Sequence, residues 1–483
     1  MVGTLSCTNG YKILVLLPFP GPSHFLMFKV FIKELIDRGH EVTSISAFAF
    51  KEQLTNFTEV LIEPPWSIGD HFSQDKIYDL KFNNQFENLI HYWWLGLDST
   101  EHALQTKAVK NFILNDDTKF DLILAEQFYQ ESLLMFAHKY QAPIVSINTN
   151  GFNYFMDRAL GMITPYSFAP HFVLNDYDDN MNFLQRCHNL AFSMIDILVR
   201  EFYYMPAMEK MAKEHFKGIA KHEKPLPSVR DLEKSISVIL VNSHFALVKP
   251  RPMMPGMINI AGAHIKPVKV LPSDVKNFLD GAENGAIYMS LGSFVQSSSM
   301  PRLKMEILLK VFGSLKQRVL WKFETDDLPH LSPNVMVQKW LPQSDVLAHP
   351  KLLLFIAHGG LYGTLEASYR GVPTLFIPFY GDQFRNAKLL ESHGFAQKML
   401  FTKITEQTLR AKIIEMISNR KYQMKAKEIS KLLNDNQVKP IDEAMYWIEY
   451  VIRHKGAKHL KSNAVNIPWY KYLMLDVLAA FGV

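Results

Sequence analysis

Residues 355–383 read FIAHGGLYGTLEASYRGVPTLFIPFYGDQ, and their types and spacing suit the binding of a phosphorylated, hydroxyl-rich ligand. An apolar run, Leu352 to Ala357, predicts a buried parallel strand that breaks at His358-Gly359-Gly360, before a helical stretch opens near Tyr362. A strand, a glycine turn and a helix N-terminus make an anion cradle. Free backbone N–H groups point outward there, and glycine omits the Cβ atoms that would hold a phosphate away. His358 adds a donor. A second strand, Pro373 to Ile377, ends at Pro378, so Asp382 and Gln383 emerge on the same sheet edge as the cradle, with side chains suited to hydroxyls.

The order of these pieces (His-Gly-Gly, Glu366 on the following helix, Gly371-Val372-Pro373, then Asp-Gln) resembles the signature of the UDP-glycosyltransferase family. The resemblance extends to Trp340-Leu341-Pro342-Gln343, Leu291-Gly292-Ser293 and Pro22-Ser23-His24, and so covers essentially the whole chain. It implies an α/β protein of GT-B type, with two Rossmann-like doubly wound domains facing across a cleft.

The elements that must position these residues follow from hydrophobic periodicity. Lys12 through Pro18 is a buried strand, Phe25–Arg38 an amphipathic helix closed by Gly39, and Glu41–Ser46 the next strand, which together make an opening βαβ unit. The loop Pro18–His24 lacks G-x-G-x-x-G, so a nicotinamide dinucleotide is not indicated. Residues 75–115 carry Trp93 and Trp94 in mixed helical patterns, and Phe120–Ala125 is another strand. Residues 150–235 are aromatic, methionine-rich and irregular, the texture of a pocket for an apolar acceptor and equally of ordinary core. A second α/β series starts at Ser237–Val241 and runs through Ala286–Ser290, Val319–Phe323 and Val335–Gln338. Pro250–Pro272 is expected to thread between the domains. Lys439-Pro440 starts a last helix with Trp447, Ile448 and Val451 on one face. The predicted organisation is an acceptor domain over 11–236, a UDP-sugar domain over 237–438, a helix over 439–460 that crosses back to the first domain, and the start of a truncated membrane anchor over 467–483.

At 483 residues the chain exceeds what one core usually supports. Its net charge of +5 is scattered rather than clustered, which argues against nucleic acid as a partner. Cys7 and Cys187 suggest no disulfide framework, and Cys187 reads as a small buried apolar residue. Ser6–Gly10 resembles the end of a secretory signal peptide, with no apolar core upstream. Trp469-Tyr470-Lys471-Tyr472 resembles an interfacial belt, where the resembled family begins a transmembrane helix. The implied address is the endoplasmic reticulum membrane with lumenal catalytic domains, and the sequon Asn56-Phe57-Thr58 is compatible with it. Homo-oligomerisation is left open.

Carried onto this chain, the resemblance makes His24 the base that activates an acceptor hydroxyl. A carboxylate is needed behind it, and Glu126 stands where many relatives have Asp. Asp121, at the other end of that strand, reads as a cap. Trp340 matches the uracil platform, Gln343 a neighbouring polar contact and Glu366 the ribose acceptor. Arg251, Ser293, His358, Gly360, Gly363 and Thr364 match diphosphate contacts, and Asp382 and Gln383 the sugar contacts. Gly363 replaces a common Ser, and Tyr362 a common Asn. Asp176-Tyr177-Asp178 is a D-x-D in a turn-like cluster and is read as a solvated loop, so no metal and no cofactor beyond the UDP-sugar co-substrate is expected. The implied activity is inverting hexose transfer to a small lipophilic hydroxyl compound (phenolic, flavonoid, steroid or pigment). The overall texture resembles the insect branch, which uses mainly UDP-glucose, with UDP-glucuronate and UDP-galactose left open as donors. A UDP-sugar epimerase or hydrolase of the same fold, and a non-catalytic binder of hydrophobic ligands, are the alternatives.

Overall fold

Short runs of Val, Ile and Leu, rarely longer than six residues, form thirteen strands among the described residues. The computed structural model describes residues 10–79, 84–175, 177–219, 225–325, 328 and 331–482. In chain order the first strands are β1 (Lys12–Leu17), β2 (Glu41–Ser46), β3 (Phe57–Leu61), β4 (Leu122–Glu126), β5 (Ile144–Asn148), β6 (Val238–Val241) and β7 (Met257–Asn259). The remainder are β8 (Ala286–Ser290), β9 (Arg318–Lys322), β10 (Val335–Gln338), β11 (Leu352–Ala357), β12 (Thr374–Phe376) and β13 (Ala396–Lys398). The first sheet has the order β3-β2-β1-β4-β5-β6-β7 and the second β10-β9-β8-β11-β12-β13. Neighbours pair in parallel throughout.

Parallel sheets must be covered on both faces, and the two-residue period of a strand does the sorting. Along β1, Ile13, Val15 and Leu17 enter one core cluster while Leu14 and Leu16 enter the other. In β8, Ile287 and Met289 face one layer and Ala286 and Tyr288 the opposite one. Each sheet reverses its strand order once, between β1 and β4 and between β8 and β11. Such switch points open a crevice at the carboxyl ends of the strands, which is where α/β sheets take ligands.

Several expectations need correction. Strands β6 and β7 extend the first sheet, so residues 237–259 belong with the first domain and not, as the boundary at 236 had it, with the second. Their buried Val-Ile-Leu-Val run pairs with β5 as readily as it would open a new sheet, a choice that local pattern does not encode. Residues 150–235 are largely helical, with helices at Tyr154–Ala159, Phe183–Val199, Met205–Phe216 and Val229–Ser235. The first helix starts at Pro22, since proline at the first helical turn gives up no hydrogen bond, and His24 therefore sits on that helix rather than in a loop. Cys187 is exposed. Residues 467–482 hold two short helices, Trp469–Tyr472 and Leu475–Phe481, parted by Met474 at φ 55°. Among the described residues no helix is long and apolar enough to cross a membrane. Cys7 and Asp176 lie outside the described residues.

The two domains exchange parts. The helix Pro440–Arg453 returns to the first domain and buries Met445, Ile448 and Val451 beside Ile13, Val15 and Phe28. Arg38 fastens it through an ion pair to Asp442 at 2.6 Å. In the other direction the short helix Gln74–Tyr78 sends Ile77 and Tyr78 into the core of the second domain. The Tyr78 hydroxyl donates to the Gln296 carbonyl at 2.6 Å, and Gln74 donates to the Phe294 carbonyl at 2.8 Å. Replacing a buried aromatic by alanine costs roughly 3–5 kcal/mol. Tyr78→Ala is therefore predicted to shift the urea midpoint of the second domain well below wild type, with Tyr78→Phe losing only about 1 kcal/mol. An unmoved midpoint in Tyr78→Ala would show that the inserted helix is peripheral.

Candidate active site

The two switch points face one another across a cavity of about 560 Å³. On the first-domain side the proline-started helix presents His24 and the end of β4 presents Glu126. His24 Nδ1 and Glu126 Oε1 lie within hydrogen-bonding reach of one another, so that the ring can donate from Nδ1 to the carboxylate. The extra methylene that separates Glu from Asp is thus accommodated. Thr149, just past β5, donates its hydroxyl to Glu126 Oε1 at 2.9 Å and lies 3.2 Å from His24 Nδ1. Phe19 and Phe128 hold the imidazole edge-on at centroid distances of 5.0 and 4.9 Å. With Nδ1 committed to the carboxylate, Nε2 is the nitrogen left to accept a proton. Asp121, at the amino end of β4, accepts from the Lys12 backbone N–H at 2.8 Å, the capping role expected of it.

On the second-domain side β11 ends at Ala357, just before His358, and the helix Leu361–Arg370 follows with Gly360 at its N-cap. Gly359 takes φ 97°, which side chains resist. The imidazole of His358 is wedged between glycines: a Cβ on Gly292 would come within 2.4 Å of the ring, and one on Gly360 within 2.6 Å. Burial, with the Lys322 charge as a smaller influence, pushes His358 down to about 4, so the ring is neutral near pH 7. Its Nδ1 has no partner among the described residues. Ser293 lines the cavity beside it.

Beyond the cradle, Trp340 is 63% exposed, an indole face open for stacking, with Lys322 Nζ 5.9 Å from its ring. Gln343 donates to Glu366 Oε2 at 2.6 Å and accepts from the Tyr288 hydroxyl at 3.4 Å. A Cβ on Gly363 would lie 3.1 Å from that Gln343 nitrogen, so glycine there leaves the Gln343–Glu366 bond uncrowded. Burial raises the Glu366 carboxyl to about 7, partly offset by Gln343. Beside the cradle, Asn386 ties Asp382 Oδ2 at 2.6 Å to the Gly359 carbonyl at 2.9 Å. Burial raises the Asp382 carboxyl, opposed by the nearby charge of Arg385, by Asn386 and by His24. Gln383 is buried, and its Oε1 accepts from the Phe379 and Tyr380 backbone N–H groups at 2.8 and 3.3 Å, which fixes the loop before it.

His24, Ser293, Trp340, Gln343, His358, Gly360, Gly363, Glu366, Asp382 and Gln383 all line this one cavity. Three of the expected residues do not, and one of them, Glu126, is fully buried behind His24. The Arg251 guanidinium turns into the first domain, where it pairs with buried Asp157 and covers Phe152 at 4.7 Å. The Thr364 hydroxyl is spent on the Gly360 carbonyl at 2.9 Å inside its own helix. Asp178, from the D-x-D, lies 3.9 Å from Lys388. The sequence reading missed Lys322, a cavity-lining cation whose one signal is a lone Lys at the carboxyl end of the apolar strand β9. It also missed Thr149 and Arg385. The latter spans the cleft, donating to the Asn150 carbonyl at 2.9 Å. At its far end the cavity is aromatic, lined by Phe19, Phe72, Tyr92, Leu95 and Phe128 with His91 and Asn88 among them.

Because the folded protein holds Glu366 near 7 against an ordinary 4.5, it binds that proton more tightly than the unfolded chain does. The contribution to stability must then fall as pH rises through this interval. Between pH 5 and 8 the ligand-free protein is predicted to lose about 2 kcal/mol more than Glu366→Gln. Urea denaturation of both at the two pH values measures this, and equal losses would mean that Glu366 ionises without penalty.

The comparisons with known proteins agree with this geometry. Residues 12–482 match the family model described as "UDP-glucoronosyl and UDP-glucosyl transferase". UDP-glycosyltransferase UGT5 of Dactylopius coccus is 34% identical over 482 residues, spanning 98% of this chain and 89% of that protein. UDP-glucosyltransferase 2 of the same insect is 33% identical over 483 residues, with 98% and 90% covered. UDP-glucuronosyltransferase 2B15 of Rattus norvegicus is 31% identical over 479 residues, with 94% and 87% covered. In fold, the chain resembles the calicheamicin glycosyltransferase CalG4, with TM-score 0.61, 15% identity, and 92% of this chain and 100% of that one aligned. The protein is thus a GT-B transferase and belongs to the UDP-glucuronosyl and UDP-glucosyl transferase family.

Proposed function

We propose that the protein transfers glucose from UDP-glucose to a hydroxyl of a small lipophilic acceptor, with inversion at the anomeric carbon. The observation that carries this reading is the pairing of His24 with Glu126 and Thr149 in the same cavity as the glycine cradle and Asp382. His24 Nε2 takes the acceptor proton while Glu126 stabilises the imidazolium that forms. The oxygen attacks C1 from the face opposite the diphosphate, and an α-linked donor gives a β-glycoside. Negative charge that builds on the leaving diphosphate meets the helix N-terminus, neutral His358 and Lys322. Trp340 stacks on uracil, Glu366 accepts from the ribose hydroxyls, and Asp382 reads the sugar. Glucose as the donor sugar is supported by the insect UDP-glucosyltransferase relative. The lipophilic acceptor is supported by the aromatic far end of the cavity.

One kinetic and calorimetric series tests this. His24→Ala is predicted to lower kcat by at least about a hundredfold with UDP affinity nearly unchanged, and Glu126→Gln to fall less. Asp382→Ala should weaken UDP-glucose by at least about 1 kcal/mol while leaving UDP alone. Wild-type activity should survive EDTA, and the product should be the β-anomer by NMR coupling. Full activity in His24→Ala would end the mechanism. Activity lost to EDTA and restored by Mn²⁺ would assign the leaving group to a metal instead.

A further inference from the structure

The first turn of a helix is the positive end of its macrodipole and favours anions. Arg385 occupies that turn in the helix Gln383–Ser392, and burial lowers its guanidinium from the ordinary arginine range, with the charges of Asp382 and Tyr92 opposing. Sheltering a charge from water adds to the cost of the position. Among the described residues Arg385 forms no ion pair. Its hydrogen bond leaves the second domain altogether and goes to the Asn150 carbonyl of the first at 2.9 Å.

That carbonyl belongs to the segment that steadies the base. Thr149, one residue earlier, donates its hydroxyl to Glu126 Oε1 at 2.9 Å and stands 3.2 Å from His24 Nδ1. The Thr149 carbonyl accepts from Asn242 at 3.2 Å, the Asn150 N–H returns to the Asn148 side chain at 3.1 Å, and Gly151 follows at φ 81°. On the second-domain side, Asn386 beside Arg385 holds both Asp382 and the Gly359 carbonyl of the cradle. Two adjacent residues, Arg385 and Asn386, thus connect the base-bearing loop, the carboxylate assigned to the sugar and the glycine turn.

We propose that Arg385 is a positioning residue that makes the donor sugar and the base one unit: its reach across the cleft fixes Thr149, and through Thr149 the Glu126–His24 pair, against the sugar that Asp382 holds. This rests on the roles given above to His24 and Asp382. The guanidinium has a second effect, exerted at Asp382. Burial raises that carboxyl, and the charge of Arg385 is the chief influence against it, followed by Asn386 and His24. Tyr92 from the helix Gln85–Gln105 and Tyr380 from the preceding loop also face Asp382, and burial raises both hydroxyls, which are therefore neutral near pH 7. Without the guanidinium Asp382 takes up its proton at a higher pH, and a sugar hydroxyl loses a charged acceptor. Lysine would keep the charge but not the planar fork that reaches the carbonyl.

Two substitutions separate reach from charge. In Arg385→Met, kcat with UDP-glucose and a phenolic acceptor should fall at least about tenfold while the Kd for UDP stays within about twofold of wild type. Calorimetry should show UDP-glucose binding weakening more steeply from pH 8 to pH 5.5 in Arg385→Met than in wild type. Arg385→Lys should restore the wild-type pH response without restoring kcat. Thr149→Val completes a double-mutant cycle: if both residues act through Glu126, the double variant should be within about twofold of the slower single variant. Wild-type kcat in Arg385→Met, or losses that multiply in full in the double variant, would overturn the proposal. So would a Kd for UDP and a melting temperature that fall together in Arg385→Met with the pH response unchanged, since Arg385 would then only hold the domains together. Failure of the underlying mechanism is a different result, full activity in His24→Ala.

Discussion

Each sheet ends in a carboxyl edge that faces the other, and what keeps those edges opposed is an exchange of apolar side chains between the two cores. Ile77 and Tyr78 complete the second domain, and Met445, Ile448 and Val451 complete the first. Both insertions bury apolar surface and are fastened by polar contacts, the Tyr78 hydroxyl to the Gln296 carbonyl and Arg38 to Asp442. A cavity bounded by two independently mobile halves would hold His24 and Asp382 at variable separation. Here the exchange fixes the frame, and Arg385, reaching from the sugar edge to the Asn150 carbonyl, pins it where the chemistry is done.

Within that frame the charged groups are arranged by burial more than by pairing. His358 is kept neutral, Glu366 is drawn towards its protonated form, and Asp382 is raised despite Arg385 nearby. Glu366 and Asp382 each have one amide donor, from Gln343 and Asn386, and little else to replace the water they have lost. Among the described residues, His358 Nδ1 and Glu126 Oε2 are both buried without a partner. An unmatched polar atom is costly in a core, and in a binding cavity it is an unspent contact that a ligand can make.

Much of this was legible from particular residues. The glycine turn at 358–360 announced the cradle because no other residue fits between Gly292, His358 and Gly360. The order of strand, turn and helix placed Asp382 on the same edge. What escaped reading was tertiary. Whether Val238–Val241 closes the first sheet or opens the second is decided by β5, some ninety residues earlier in the chain. Arg251 carries the charge for diphosphate, yet Asp157, itself unremarkable in sequence, captures it. Lys322 looks like an error in an apolar strand until β9 is seen to end beside Trp340. The stretch 150–235 misled for a related reason: its aromatic, methionine-rich texture read as irregular, whereas Phe183–Val199 is a helix whose polar stripe is buried, so Cys187, expected inside, is exposed.

The returning helix Pro440–Arg453 also sets a timetable. Strand β7 finishes the first sheet at Asn259, but the layer that covers Val15 and Phe28 lies roughly 180 residues further on, on the order of ten seconds or more of ribosomal synthesis. Throughout that interval the nascent first domain has its sheet but lacks part of one outer layer, and the second domain is built meanwhile against Ile77 and Tyr78 already in place. Vectorial synthesis therefore makes the first domain a template for the second and the last domain to be sealed, an order in which a ribosome-bound chain depends on chaperone cover for an apolar face that the finished protein never shows.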